Sequence, residues 1–112
     1  MTFIRSIRAR ALDIPFKVQF KHASAARAAT QTLWIDAYDE AGRIGHGEGC
    51  PREYVTGESL ESTLAFVAAS EQDCRARIGD VAALRTWVEG NRATIDAAPA
   101  AWSAIELALL DL

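Results

Sequence analysis

The sequence predicts an α+β domain: a three-stranded antiparallel sheet followed by a helical layer. Three observations lead there. Apolar and polar residues alternate in residues 2–12 and again from residue 28 to residue 50. From Ser59 the apolar spacing changes to a 3.6-residue period. Residues 99–112 then form a helix that is apolar nearly all round.

Residues 2–12 alternate loosely, with Phe3, Ile7, Ala9 and Ala11 on one face and Ser6, Arg8 and Arg10 on the other, while Ile4 and Arg5 break the pattern. This is a half-buried first strand, expected to end at Asp13-Ile14-Pro15 because proline cannot donate to a ladder. Residues 15–27 have no clean period and read as a loop. Residues 28–39 are the clearest strand, with Leu33, Ile35 and Ala37 facing one way and Thr32, Trp34, Asp36 and Tyr38 the other. Glu40-Ala41-Gly42 supplies a hairpin turn, and residues 43–50 return as the third strand. Glycines 45, 47 and 49 of that strand share a face almost bare of side chains, so a helix or another backbone can approach it closely.

Ser59 caps a helix running to about Arg77, with Leu60, Leu64, Val67 and Ala68 as its apolar stripe. Gly79 breaks it, and Asp80 caps a second helix carrying Val81, Leu84 and Val88. Gly90-Asn91 punctuates again, residues 93–98 form a helical turn, and Pro99 opens the last helix as a first-turn residue. Only Ser103, Glu106 and Asp111 are polar between 99 and 112, so one small sheet is not expected to cover this helix. The expected division is residues 1–98 as one domain and residues 99–112 as the first helix of a neighbour that the chain lacks.

With 112 residues the chain is one domain, and 22 alanines among its apolar residues make the core light, so it is expected to lean on another structure. A net charge of −3 without a basic cluster argues against nucleic acid as the partner. No apolar run reaches the roughly 20 residues that span a bilayer, and residues 1–10 lack the apolar block of a secretory signal. Cys50 and Cys74 form neither a disulfide framework nor metal-site spacing, so a reducing cytoplasm is the expected compartment.

The order of three antiparallel strands and then helices carries several short motifs. These are Pro15-Phe16-Lys17, Gly45-His46-Gly47-Glu48, Cys50-Pro51 through Thr56-Gly57-Glu58-Ser59, and Ala104-Ile105-Glu106-Leu107-Ala108-Leu109-Leu110-Asp111-Leu112. In that order and spacing they resemble the N-terminal capping domain of the enolase superfamily, of the muconate-lactonizing and mandelate-racemase type, over the whole chain. The resemblance implies a chain about three times as long. In it a (β/α) barrel carries the catalytic lysines and the carboxylates that bind Mg²⁺. It also implies proton abstraction α to a substrate carboxylate, with Mg²⁺ stabilising the enediolate. The capping domain's share is to close two loops over the barrel mouth, exclude water and touch the distal part of the substrate. The resemblance places those loops at residues 16–28 and 50–57. A racemase, epimerase or cycloisomerase follows, with dipeptide epimerases and N-acylamino-acid racemases fitting better than lactonizing enzymes. The intact enzyme is expected to be a homo-oligomer, and the 112-residue chain alone is expected to be inactive.

Within the loops, Lys21 stands either as partner to a substrate carboxylate or as a solvated charge, and His22 either as a donor to a polar substrate group or as a surface histidine. Phe20 walls a substrate pocket or packs inward, and Phe16 is read as core. Arg27 is read as a salt-bridge residue. In the second loop Arg52 and Tyr54 are the substrate-binding candidates and Glu53 a solvated charge. His46 and Glu48 share a face two residues apart, too few for a metal site, and are read structurally, with Glu48 hydrogen-bonded at an interdomain seam. Cys50 is read as a buried thiol, and Trp34, Trp87 and Trp102 as packing residues. No residue of the chain is expected to be catalytic or to bind metal; Mg²⁺ and the carboxylate substrate belong with the barrel. The rival readings are a stand-alone module that binds a small acidic ligand or oligomerises, and a structural domain without a ligand.

Overall fold

The computed structural model describes the backbone of residues 3–22 and 25–112 and the side chains of residues 3–13 and 31–112. The elements run β1 (Ile4–His22), β2 (Ala25–Asp39), β3 (Ile44–Gly49), α1 (Glu53–Thr56), α2 (Leu60–Arg77), α3 (Val81–Gly90), α4 (Arg92–Asp96) and α5 (Pro99–Asp111). The strands form one antiparallel sheet in the order β1-β2-β3, and α2 and α5 cover one of its faces. The α+β fold class read from the sequence is the observed one.

β1 does not stop at Pro15. Its pairing with β2 continues through Pro15↔Ala29 and resumes from Phe20↔Arg27 to His22↔Ala25, with a register shift between. β3 reaches only as far as Leu33↔Gly49, so the rest of β1 and β2 projects as a two-stranded ribbon. The proline is accommodated because β1 is an edge strand and the ladder is interrupted directly after it. Residues 15–27 are therefore mostly ribbon where a loop was expected.

A second shift, between Ile4 and Ser6, explains the broken alternation at the start of β1. The extra residue turns both Ile4 and Ile7 onto the core face, where each is buried. The Ile7 N–H donates 2.7 Å to the Glu71 carboxylate on α2. Phe3, expected inside, is 55% exposed, its ring lying over Gly79. Ala11 is exposed as well.

The β2–β3 turn closes on Asp39, whose buried carboxylate accepts from the Arg43 backbone N–H at 2.9 Å and from Arg43 Nε at 3.0 Å. Gly42 supplies the left-handed residue (φ 84°) that such a turn requires.

The core is built on Leu33, Ile35 and Ala37 of β2, all fully buried, facing the glycine stripe of β3. Ala100, Ala104 and Ala108 of α5 lie along that stripe. A Cβ added at Gly45 or Gly47 would overlap the carbonyl oxygen of Ala108 or Ala104, and one at Gly49 would sit 2.5 Å from that of Ala100. The bare strand face thus admits a helix at backbone contact. This depth of docking lets a small sheet hold α5 after all: Ala101, Trp102, Ala104, Ile105, Ala108 and Leu109 are buried, and only Leu107 and Leu110 stand out as exposed apolar residues. Trp102 stacks on Trp87 of α3 with ring centroids 4.7 Å apart.

α2 begins where Ser59 predicts, in a reciprocal capping box with Ser62. Its buried stripe is Thr63, Val67, Ser70 and Cys74, offset from the apolar one expected, and Ala68 is exposed. Thr63 satisfies its hydroxyl on the Leu60 carbonyl at 2.7 Å. Asp80 caps α3 by accepting from Ala83 N at 2.7 Å. Val81, expected on the buried stripe, is 54% exposed. No helix among the described residues is long and apolar enough to cross a membrane.

Candidate functional site

The second loop is a structured turn. Pro51 is buried and fixes its base. Arg52 starts α1 in an extended conformation, and its carbonyl accepts from Val55 N at 3.0 Å and Thr56 N at 2.9 Å. Gly57, in the left-handed region (φ 77°), ends the turn and returns its N–H to the Glu53 carbonyl. The Arg52 guanidinium donates 2.9 Å to the Pro51 carbonyl. Tyr54 and Val55 are 48% and 69% exposed, an apolar tip on a polar loop.

A cleft of about 250 Å³ opens beneath this tip, lined by Gln31 at the root of the ribbon, by Pro51, Arg52, Glu53 and Tyr54, and by Glu58, Ser59 and Leu60. The structure thus brings Arg52 and Tyr54 together beside the ribbon, with Glu53 exposed as expected. The backbones of Phe20, Lys21 and His22 lie in the far part of the ribbon, opposite Arg27, Ala26 and Ala25. The side chains of these three, and of Phe16 and Arg27, lie outside the described residues.

Glu58 was not singled out in the sequence, yet it joins the loop to the core. Its side chain is 4% exposed, and its two carboxylate oxygens accept from the backbone N–H groups of Ala100 (2.9 Å) and Ala101 (3.1 Å). α5 has no cap of its own, since Ala98 has no side-chain acceptor. The uncapped Ala98-Pro99 start is the signal that a remote acceptor is needed there.

On the open face of the sheet Asp36 gathers three partners. Its Oδ1 accepts from Trp34 Nε1 at 3.0 Å and lies 2.8 Å from His46 Nδ1, and its Oδ2 lies 3.9 Å from Arg10 Nε. Burial alone would raise this carboxyl. The Trp34 and His46 hydrogen bonds, with the charges of Arg10 and His46, outweigh it and hold the group below its ordinary 3.8. Trp34, expected as core packing, is half-buried on this face and tilts against His46 at 5.5 Å. Glu48 is exposed.

Cys50 corrects the sequence reading: it is exposed, just past the end of β3, with Sγ 3.5 Å from Thr32 Oγ1. Cys74 is the buried thiol, its pKa pushed up to about 12 by burial and then by the Asp73 charge. Among the described residues no cluster of three or more His, Cys, Asp or Glu side chains is placed to hold a metal ion. These residues do not fit a Mg²⁺ site.

No protein-family model and no curated protein matches the chain. Solved structures do. The dipeptide epimerase from Methylococcus capsulatus, complexed with Mg and the dipeptide L-Arg-D-Lys, is 27% identical with a TM-score of 0.77, over 96% of this chain and 30% of that one. The dipeptide epimerase from Enterococcus faecalis V583, complexed with Mg and L-Leu-L-Tyr, is 28% identical with a TM-score of 0.74, over 95% of this chain and 29% of that one. A mandelate racemase/muconate lactonizing protein from Herpetosiphon aurantiacus is 27% identical with a TM-score of 0.67, over 96% and 28%. The chain belongs to the enolase superfamily. It spans about 30% of the length of the superfamily members it matches. Its structural neighbours are epimerases and racemases, which are isomerases.

Proposed function

We propose that this chain is the capping and specificity segment of a Mg²⁺-dependent enolase-superfamily isomerase that abstracts the proton α to a substrate carboxylate, and that its substrate class is a dipeptide or a similar N-acylated amino acid. The observation that carries this reading is the cleft joining Arg52 and Tyr54 to the ribbon root at Gln31, in a chain that matches dipeptide epimerases over nearly its whole length. The Arg52 guanidinium suits a carboxylate or carbonyl at the distal end of the substrate. Tyr54 and Val55 offer apolar surface over it and exclude water when the loop closes. Phe20, Lys21 and His22 are the further substrate-binding residues of this reading. The proton-transfer groups and Mg²⁺ ligands lie on a barrel domain to which residues 99–112 lead. A Mg²⁺ ion held by that domain would supply charge stabilisation for the substrate carboxylate. The assembled enzyme is a cytoplasmic homo-oligomer, and the chain alone has no activity.

The test is a graft. This chain replaces the corresponding N-terminal segment of the Methylococcus capsulatus epimerase, and Cα deuterium exchange of dipeptides is followed. Restored exchange, with Arg52→Ala raising KM, is the expected result. Mg²⁺-dependent exchange by the purified 112-residue chain alone refutes the reading, as does a folded graft whose KM is indifferent to Arg52 and Tyr54.

A further inference from the structure

We propose that Glu58 is the positioning residue of the 52–57 loop, a carboxylate latch that ties the loop's inner end to the first turn of α5. The proposal rests on the reading of that loop as a substrate-facing lid.

A carboxylate that is 4% exposed loses most of its hydration, and a buried charge is retained only where other groups replace the water. Here the replacement is two N–H groups, of Ala100 and Ala101, at the positive end of a 13-residue helix. Among the described residues no ion pair joins a lysine or arginine to it, and the helix terminus supplies a stabilising field. Glu58 directly follows Gly57, the left-handed residue that ends α1, and directly precedes Ser59, the cap of α2. Its own N–H lies 3.4 Å from Thr56 Oγ1, and that hydroxyl turns back to the Arg52 carbonyl. The chain of contacts therefore runs from α5 through Glu58 and Thr56 to Arg52. α2 is held independently, by the Ser59–Ser62 box and its own core stripe. What the Glu58 carboxylate adds is the position of α1, and with it the aim of Arg52 and Tyr54 into the cleft.

Capping α5 and placing α1 are separable. Ser at position 98 sits where a side chain can accept from the N–H groups of residues 100 and 101, so Ala98→Ser supplies the helix with its own cap. Amide exchange in the 112-residue chain is read residue by residue by NMR. In Glu58→Gln the amides of Ala100 and Ala101 and those of Val55, Thr56 and Gly57 are expected to exchange about tenfold faster or more, the scale of losing a hydrogen bond to a charged group. Leu33 and Ile35 of the core keep their protection. In Glu58→Gln with Ala98→Ser, Ala100 and Ala101 recover while the α1 amides stay fast. Recovery of α1 as well means that Glu58 only caps a helix and overturns the proposal. So does a uniform acceleration across sheet and helices. Glu58→Asp keeps the charge at shorter reach. It serves if the glutamine variant does not fold, with the same pattern expected at smaller amplitude.

The graft separates this from the functional reading. Glu58→Gln there is expected to raise KM several-fold more than it lowers kcat. Fast α1 amides with an unchanged KM leave the latch standing and remove the lid. Protected α1 amides remove the latch whatever KM does.

Discussion

Replacing Gly47 by alanine tests how the sheet holds its last helix. The added methyl group would overlap the Ala104 carbonyl oxygen and lie 2.7 Å from Ala108 N, whereas ordinary contacts begin at 3.4 Å. Both obstacles are helix backbone, so no side chain can swing aside, and α5 must back away from β3. Overpacking a core typically costs about 1–3 kcal/mol, and a backbone obstacle puts this site near ~3 kcal/mol. At about 4 °C or more per kcal/mol for a chain of this size, the melting temperature falls by roughly 10 °C or more. Differential scanning calorimetry reads the change, with near-ultraviolet circular dichroism of the stacked Trp87–Trp102 pair reporting the displaced helix. Gly90→Ala is the control. Nothing lies within 4 Å of its would-be Cβ and it sits in a helix, so it should be neutral or gain about 0.5–1 kcal/mol. A Gly47→Ala variant that melts within about 3 °C of the parent refutes the argument, because ~1 kcal/mol or less would then be at stake.

Acid sensitivity and thiol chemistry give two more outcomes. Asp36 and Asp73 are both held below their ordinary 3.8, Asp73 by the Trp87 indole N–H at 2.7 Å and then by Arg77. A carboxyl depressed in the folded state contributes stability above its unfolded pKa and loses it as pH falls through the lower folded value. Urea midpoints should therefore hold from neutrality to about pH 4 and drop below that, and Asp36→Asn should flatten the drop; equal acid slopes in the two proteins contradict the assignment. With a disulfide reagent at pH 8, one thiol should react in the native chain and two in denaturant, the fast one vanishing in Cys50→Ser. Rapid labelling of native Cys74 runs against its burial.

Much of this architecture is legible one residue at a time. The glycines at 45, 47 and 49 announce a close-packed neighbour, Ser59 and Asp80 announce helix starts, and the β2 alternation announces the core face. What escaped the pattern depends on partners far along the chain. Ile4 and Ile7 share a face only because the ladder slips between them. The ribbon past Pro15 exists because an edge strand tolerates a proline, which no local rule signals. α2 buries Thr63, Val67, Ser70 and Cys74, while Leu60 and Leu64 of the expected stripe are only partly buried against the core and Ala68 is exposed. At the site, Arg52 and Tyr54 were proposed from the loop that the resemblance places at residues 50–57, whereas Glu58 had no role of its own until the bare start of α5, some forty residues on, gave it a purpose.

The meeting of α5 with the rim of the sheet has a further effect. The His46 N–H, which points out of the ladder, is taken up by Asp111 at 2.8 Å. An incoming strand seeking to extend the sheet beside β3 meets an occupied donor and a negative charge, and on the opposite rim it meets the exposed arginines 5, 8 and 10. Self-association through runaway strand addition is discouraged on both sides, which leaves a small, alanine-laden fold free to meet its neighbours by faces and loops.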